Sequence, residues 1–82
     1  MSTKAYVLIE TAVNYTRDVS SALSLMKEVT QVDPVTGPYD IIVVLETSNL
    51  DDIGDLVANH IHKIPGISRT VTCLSLAVSI DK

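Results

Sequence analysis

Five consecutive apolar residues, Ile41, Ile42, Val43, Val44 and Leu45, follow directly on the turn sequence Thr36-Gly37-Pro38-Tyr39-Asp40. The run is far shorter than the ~20 residues that span a bilayer, and its β-branched content marks a strand. Successive side chains of a strand point to opposite faces, so a strand apolar at every position calls for cover on both sides. A chain of 82 residues struggles to supply two covers. A domain of that size buries only about 60% of the surface its unfolded chain exposes.

The same two-sidedness recurs near the N-terminus. Residues 5–13 alternate Ala5, Val7, Ile9 and Thr11 against Tyr6, Leu8 and Glu10, which reads as a second central strand. From Arg17 the spacing of Val19, Ala22, Leu23 and Met26 predicts a helix, with Asp18 near its start and Lys27 near its end. Val29 to Val35 is polar and β-branched, and Pro34 confines it to a sheet edge. After the Thr36–Asp40 turn and the strand from Ile41 to Thr47, Ser48 or Asn49 is placed to cap a second helix. Leu50, Ile53, Leu56, Val57, Ile61 and Ile64 form its stripe, and Pro65-Gly66 ends it. Residues 67–80 alternate Thr72, Leu74, Leu76, Val78 and Ile80 against Val71, Cys73, Ser75, Ala77 and Ser79, a last strand.

The order β-α-β-β-α-β fills residues 1–82 as one domain, with no linker, repeat or low-complexity segment. Right-handed crossovers put both helices on one face of an antiparallel four-stranded sheet, a ferredoxin-like α+β sandwich. The other face stays bare. It carries either Val7, Ile9, Ile41, Val43 and Leu45, or Tyr6, Leu8, Ile42 and Val44. At ~1.5 to 3 kcal/mol for each large side chain buried, leaving them in water forfeits roughly 6 to 15 kcal/mol. Packing of the sheet against that of a second copy is the expected remedy.

Composition narrows the function. A net charge of −4 and a pI near 4.8, with six scattered basic residues, argue against direct nucleic-acid binding, which rests on neutralising phosphates. The single cysteine, Cys73, forms no internal disulfide and favours a reducing compartment. With no secretory signal and no spanning run, the cytoplasm is the expected location.

No catalytic constellation is visible. His60 and His62, two apart on a helix, point about 200° from one another and cannot share a metal. They read as one packed and one solvated histidine. Cys73 reads as a buried, inert thiol. Asp51, Asp52 and Asp55 suit the positive end of a helix dipole. No metal and no cofactor are expected. The turn remains: Gly37 offers an accessible backbone N–H, Tyr39 a hydroxyl and an apolar ring, and Asp40 a carboxylate. That set suits a zwitterion, while Gly37 and Pro38 also suffice to make a turn, with Asp40 capping its own backbone.

Three motifs carry a resemblance over essentially the whole chain: Val35-Thr36-Gly37-Pro38-Tyr39-Asp40 before an apolar strand, Ile64-Pro65-Gly66-Ile67 after a helix, and Arg69-Thr70-Val71-Thr72 opening the last strand. Together they resemble the effector-binding domain of the Lrp/AsnC transcription regulators. The resemblance implies control of amino-acid metabolism, dimers formed through facing sheets (a dimeric α/β barrel), and rings of eight or ten chains. It also implies a small effector, usually an amino acid, held between dimers near the turn. Gly37, Pro38, Tyr39 and Asp40 match the family's turn, and Thr70 and Thr72 match the polar start of its last strand. The regulators also carry an N-terminal helix-turn-helix domain, and no such domain is expected here, since nothing precedes the first strand in this sequence. The chain looks like the stand-alone domain, expected not to bind DNA itself but to co-assemble with full-length regulators. Two readings stand against this amino-acid sensor: a dimeric α/β-barrel enzyme using His60 on a small organic substrate, and an oligomerisation module that binds nothing.

Overall fold

A computed structural model describes residues 2–76. Strands β1 (Thr3–Thr11), β2 (Val29–Pro34), β3 (Ile41–Thr47) and β4 (Ile67–Leu74) form one sheet in the order β2-β3-β1-β4. Every neighbouring pair is antiparallel. Helices α1 (Thr16–Ser24) and α2 (Leu50–Asn59) fill the two crossovers. The fold is the expected ferredoxin-like α+β sandwich, with β1 and β3 central and β2 at one edge. The expected strand residues from Ala77 to Ile80 lie outside the described residues.

Register decides which parity faces the helices. Ala5, Val7 and Ile9 pair with Leu45, Val43 and Ile41, and all six side chains are fully buried. They close a core with Val19 and Leu23 of α1, Ile53 and Leu56 of α2, and Ile61. The other parity, Tyr6, Leu8, Ile42 and Val44, is therefore the face turned away from the helices, with Tyr6 exposed, Leu8 and Ile42 half-buried and Val44 buried among its neighbours on that face. Val71 and Cys73, opposite Leu8 and Tyr6, extend it onto β4. Cys73 is consequently exposed, which corrects the expectation of a buried thiol.

The helices are shorter than the apolar spacing suggested. In α1 the chain leaves the helix at Leu25, so Lys27 lies beyond the last turn. In α2 the break comes at His60, whose φ of −124° and ψ of −55° depart from the helix, and Ile61–Lys63 form a single 3₁₀ turn. The tighter turn drives Ile61 into the core and turns His60 outward beside Asp55, at 3.8 Å. His60 is thus not the packed residue of the apolar stripe. Leu50, at the other end of the stripe, is 55% exposed.

Candidate functional site

The turn before β3 is held from both sides. The Val35 N–H donates to the Asp40 carbonyl at 2.9 Å, and the Asp40 N–H donates to the Ile9 carbonyl at 2.9 Å. Gly37 sits at φ 144°, where a Cβ would meet no atom within 4 Å. Glycine is needed there for backbone conformation rather than for space. Among the described residues the Gly37 N–H and the Tyr39 hydroxyl make no hydrogen bond.

Asp40 does not cap its own backbone. Its Oδ2 accepts the Thr11 N–H at 2.8 Å and the Thr11 hydroxyl at 3.3 Å. Thr16 at the head of α1 completes the chain with a 2.9 Å hydroxyl contact to Thr11. The register of β1 against β4 slips between Glu10 and Thr11, and the carboxylate takes up the Thr11 N–H at that slip. One carboxylate oxygen thus pins the end of β1 to the start of β3 and α1. Oδ1 has no partner among the described residues.

Thr70 and Thr72 stand elsewhere. They pair with Ile9 and Val7 on the helix-covered side of β4, across β1 from β3. With strands about 4.8 Å apart, some 10 Å separates the start of β3 from β4. The structure therefore gathers the candidate residues into two groups, not one. The Thr70 hydroxyl shares a 2.6 Å hydrogen bond with Nε2 of His62, which is therefore not merely solvated. Sequence reasoning missed this contact because it placed His62 on a continuous helix, whereas the 3₁₀ turn swings it toward β4.

Thr72 and His62 also belong to an open groove of about 680 Å³ between α2 and β4. Leu50, Ile53, Val57 and Leu74 make its walls apolar, and the turn residues Gly37 to Asp40 lie outside it. Gly54 keeps the α2 side low. Mid-helix glycine costs roughly 1 kcal/mol relative to alanine, yet a Cβ here would meet nothing within 4 Å and φ is not positive. Nothing within the described residues calls for glycine at that position.

The arrangement offers recognition groups rather than reactive ones. Among the described residues no three His, Cys, Asp or Glu side chains converge to hold a metal, and no helix is long and apolar enough to cross a membrane.

Comparison with known proteins agrees with the family resemblance. A family model described as the Lrp/AsnC ligand binding domain matches residues 4–81. The HTH-type transcriptional regulator FL11 of Pyrococcus horikoshii is 29% identical over 72 residues, covering 88% of this chain and 47% of that protein. The chain spans less than half the length of the curated relatives it matches. Among solved structures, FFRP-DM1 superposes with a TM-score of 0.87 at 35% identity, covering 90% of this chain and 99% of that one. The fold is also that of the transcriptional regulator NMB0573 of Neisseria meningitidis, solved as a complex with L-Met. Its TM-score is 0.82 at 13% identity, over 90% of this chain and 49% of that one.

Proposed function

Because the chain belongs to the Lrp/AsnC ligand-binding domain family, we propose that it is a non-enzymatic, oligomeric module that senses an amino acid in transcription regulation. The observation that carries the reading is the turn. It presents the Gly37 N–H, the Tyr39 hydroxyl and Oδ1 of Asp40, unpartnered among the described residues, on backbone tied to two central strands. A backbone N–H suits a carboxylate, and a fixed carboxylate oxygen suits an ammonium. The L-Met complex of a protein with the same fold supports that class of ligand.

About 10 Å of sheet separates the turn from Thr70 and Thr72, too far for one small amino acid to bridge both within one chain. A site using both groups takes the turn from one copy and β4 from another. The bare sheet face supports such association. Tyr6, Leu8, Ile42, Val44 and Val71 form an apolar centre, and a second copy brings the same apolar face to it, as a two-fold interface requires. Sheet-to-sheet dimers, closing further into a ring of eight or ten chains, would bring turns and β4 strands of different dimers together. An effector held there biases assembly, and through it any family member carrying a DNA-binding domain that joins the ring.

Calorimetric titration of the chain with each of the twenty amino acids tests the reading. Heat is expected with at least one, weakened in both Tyr39→Phe and Thr72→Ala. A parent chain silent to all of them overturns it.

A further inference from the structure

Resting on the amino-acid reading above, we infer that Thr11 and Thr16 are positioning residues of the effector site. Through a directed chain of hydroxyls they hold one oxygen of Asp40 and aim the other at the ammonium of the ligand.

A carboxylate only accepts hydrogen bonds, and a hydroxyl has a single proton to donate. The Thr11 hydroxyl stands 3.3 Å from Oδ2 of Asp40 and 2.9 Å from the Thr16 hydroxyl. Two oxygens facing one another without a proton between them repel, so the Thr11 proton turns to the charged oxygen, the stronger acceptor. Thr16 must then donate to Thr11. The chain runs one way, from the head of α1 through the end of β1 to the carboxylate, and each bond polarises the next.

Closure of the backbone alone does not call for these hydroxyls. The Thr11 N–H, 2.8 Å from Oδ2, already ties the end of β1 to the start of β3. At 3.3 Å the hydroxyl bond is the longer of the two, and what it adds is a constraint on rotation. The last torsion of an aspartate is broad, so a single bond leaves its two oxygens free to swing or trade places. Two donors of Thr11 converging on Oδ2 oppose both motions. The bonds are partly buried, which limits competition from water. Oδ1, without a partner among the described residues, is left facing one direction.

The head of α1 shows the same commitment. Its cap residue, Tyr15, makes no side-chain hydrogen bond to the helix, and the hydroxyl of the first helical residue, Thr16, turns back to Thr11. An acceptor fixed before the ligand arrives need not be ordered on binding. That advantage falls on the cationic group of the ligand alone.

Calorimetry tests this on the parent, Thr11→Val, Thr11→Ser and Thr16→Ala, with urea unfolding of each. Every amino acid that binds the parent is paired with the carboxylic acid bearing hydrogen in place of its α-ammonium. Thr11→Val keeps the branched shape and the N–H and removes only the hydroxyl. It is expected to weaken the amino acid by about three- to tenfold while changing the des-amino acid by less than about twofold. Thr16→Ala is expected to show the same split at about two- to threefold, and Thr11→Ser, which keeps the hydroxyl, to match the parent. A purely structural role would weaken both ligands alike, in step with lost stability. Equal losses for the two ligands, parental affinity in Thr11→Val or Thr16→Ala, or a Thr11→Ser as weak as Thr11→Val overturns the inference and leaves the amino-acid reading standing. So does a parent that holds the des-amino acid as tightly as the amino acid, since Asp40 then meets no ammonium. If Thr11→Val does not fold, Thr16→Ala decides by the same split. A parent silent to all twenty amino acids removes that reading and this inference with it.

Discussion

Gly66 shows how a single atom holds this fold. Its φ is 99°, and a Cβ there would fall within the van der Waals envelope of the Tyr15 ring. The Gly66 carbonyl meanwhile accepts the Ala12 N–H at 2.7 Å, tying the end of β1 to the start of β4. Gly66→Ala is expected to cost at least about 2 kcal/mol in urea unfolding, through left-handed strain and the clash together. Asp40 is the second such residue. Asp40→Ala leaves the Thr11 N–H without its acceptor and should cost about 1 to 2 kcal/mol. Asp40→Asn keeps an acceptor oxygen and should cost less than half as much, and the same unfolding curves check it. The glycine turn before β3 was legible because glycine has few other uses there, whereas α2 ends at Asn59, ahead of the Pro65-Gly66 pair read as its stop. The partners of Asp40, His62 and Cys73 were not legible, because each is set by strands or turns distant in sequence. His60 and His62 were read on one helix, and a 3₁₀ turn of three residues sufficed to turn His60 outward and to bring the exposed His62 within hydrogen-bonding distance of Thr70.

At the scale of elements, local chemistry and apolar period agreed. Asn49 caps α2 as its composition suggested: its Oδ1 accepts the Asp52 N–H at 2.9 Å, and Asp51 and Asp52 fill the first turn. Asn49→Ala should lower the stability of the chain by about 1 kcal/mol, measured by thermal melting, while Asn49→Asp changes it little. Periodicity located both helices and all four strands, and Pro34 marked the edge strand. It overran the helix ends because an apolar residue at the right spacing, Ile61, reaches the core equally well from a tighter turn. The α2–β4 groove was invisible for a related reason. Leu50 and Leu74 count as core by pattern, and only the packing of α2 against the sheet leaves them half exposed.

At the scale of the molecule, the two-faced strands remain the strongest constraint. Sequence showed that one sheet face would stay bare but not which parity it would be, since Val7 and Leu8, or Ile41 and Ile42, are equally apolar. The helices settled it by burying Ala5, Val7, Ile9, Ile41, Val43 and Leu45. The remaining face centres on Leu8, flanked by Ile42 and Val71 in the register of the sheet. Leu8→Glu sets a charge in that centre without touching the helix-side core. It should convert the proposed sheet-to-sheet dimer to monomers in sedimentation while leaving the circular dichroism of the fold unchanged.

The central claim joins ligand and assembly at one place: an amino acid held where the turn of one chain meets β4 of another. A crystal structure of the chain grown with all twenty amino acids present addresses it directly. The account predicts sheet-to-sheet dimers in a closed ring, with amino-acid density within hydrogen-bonding distance of Gly37 to Asp40 of one chain and of Thr70 or Thr72 of its neighbour. Chains whose bare sheet faces remain unpaired, or an amino acid bound away from both groups, would contradict it.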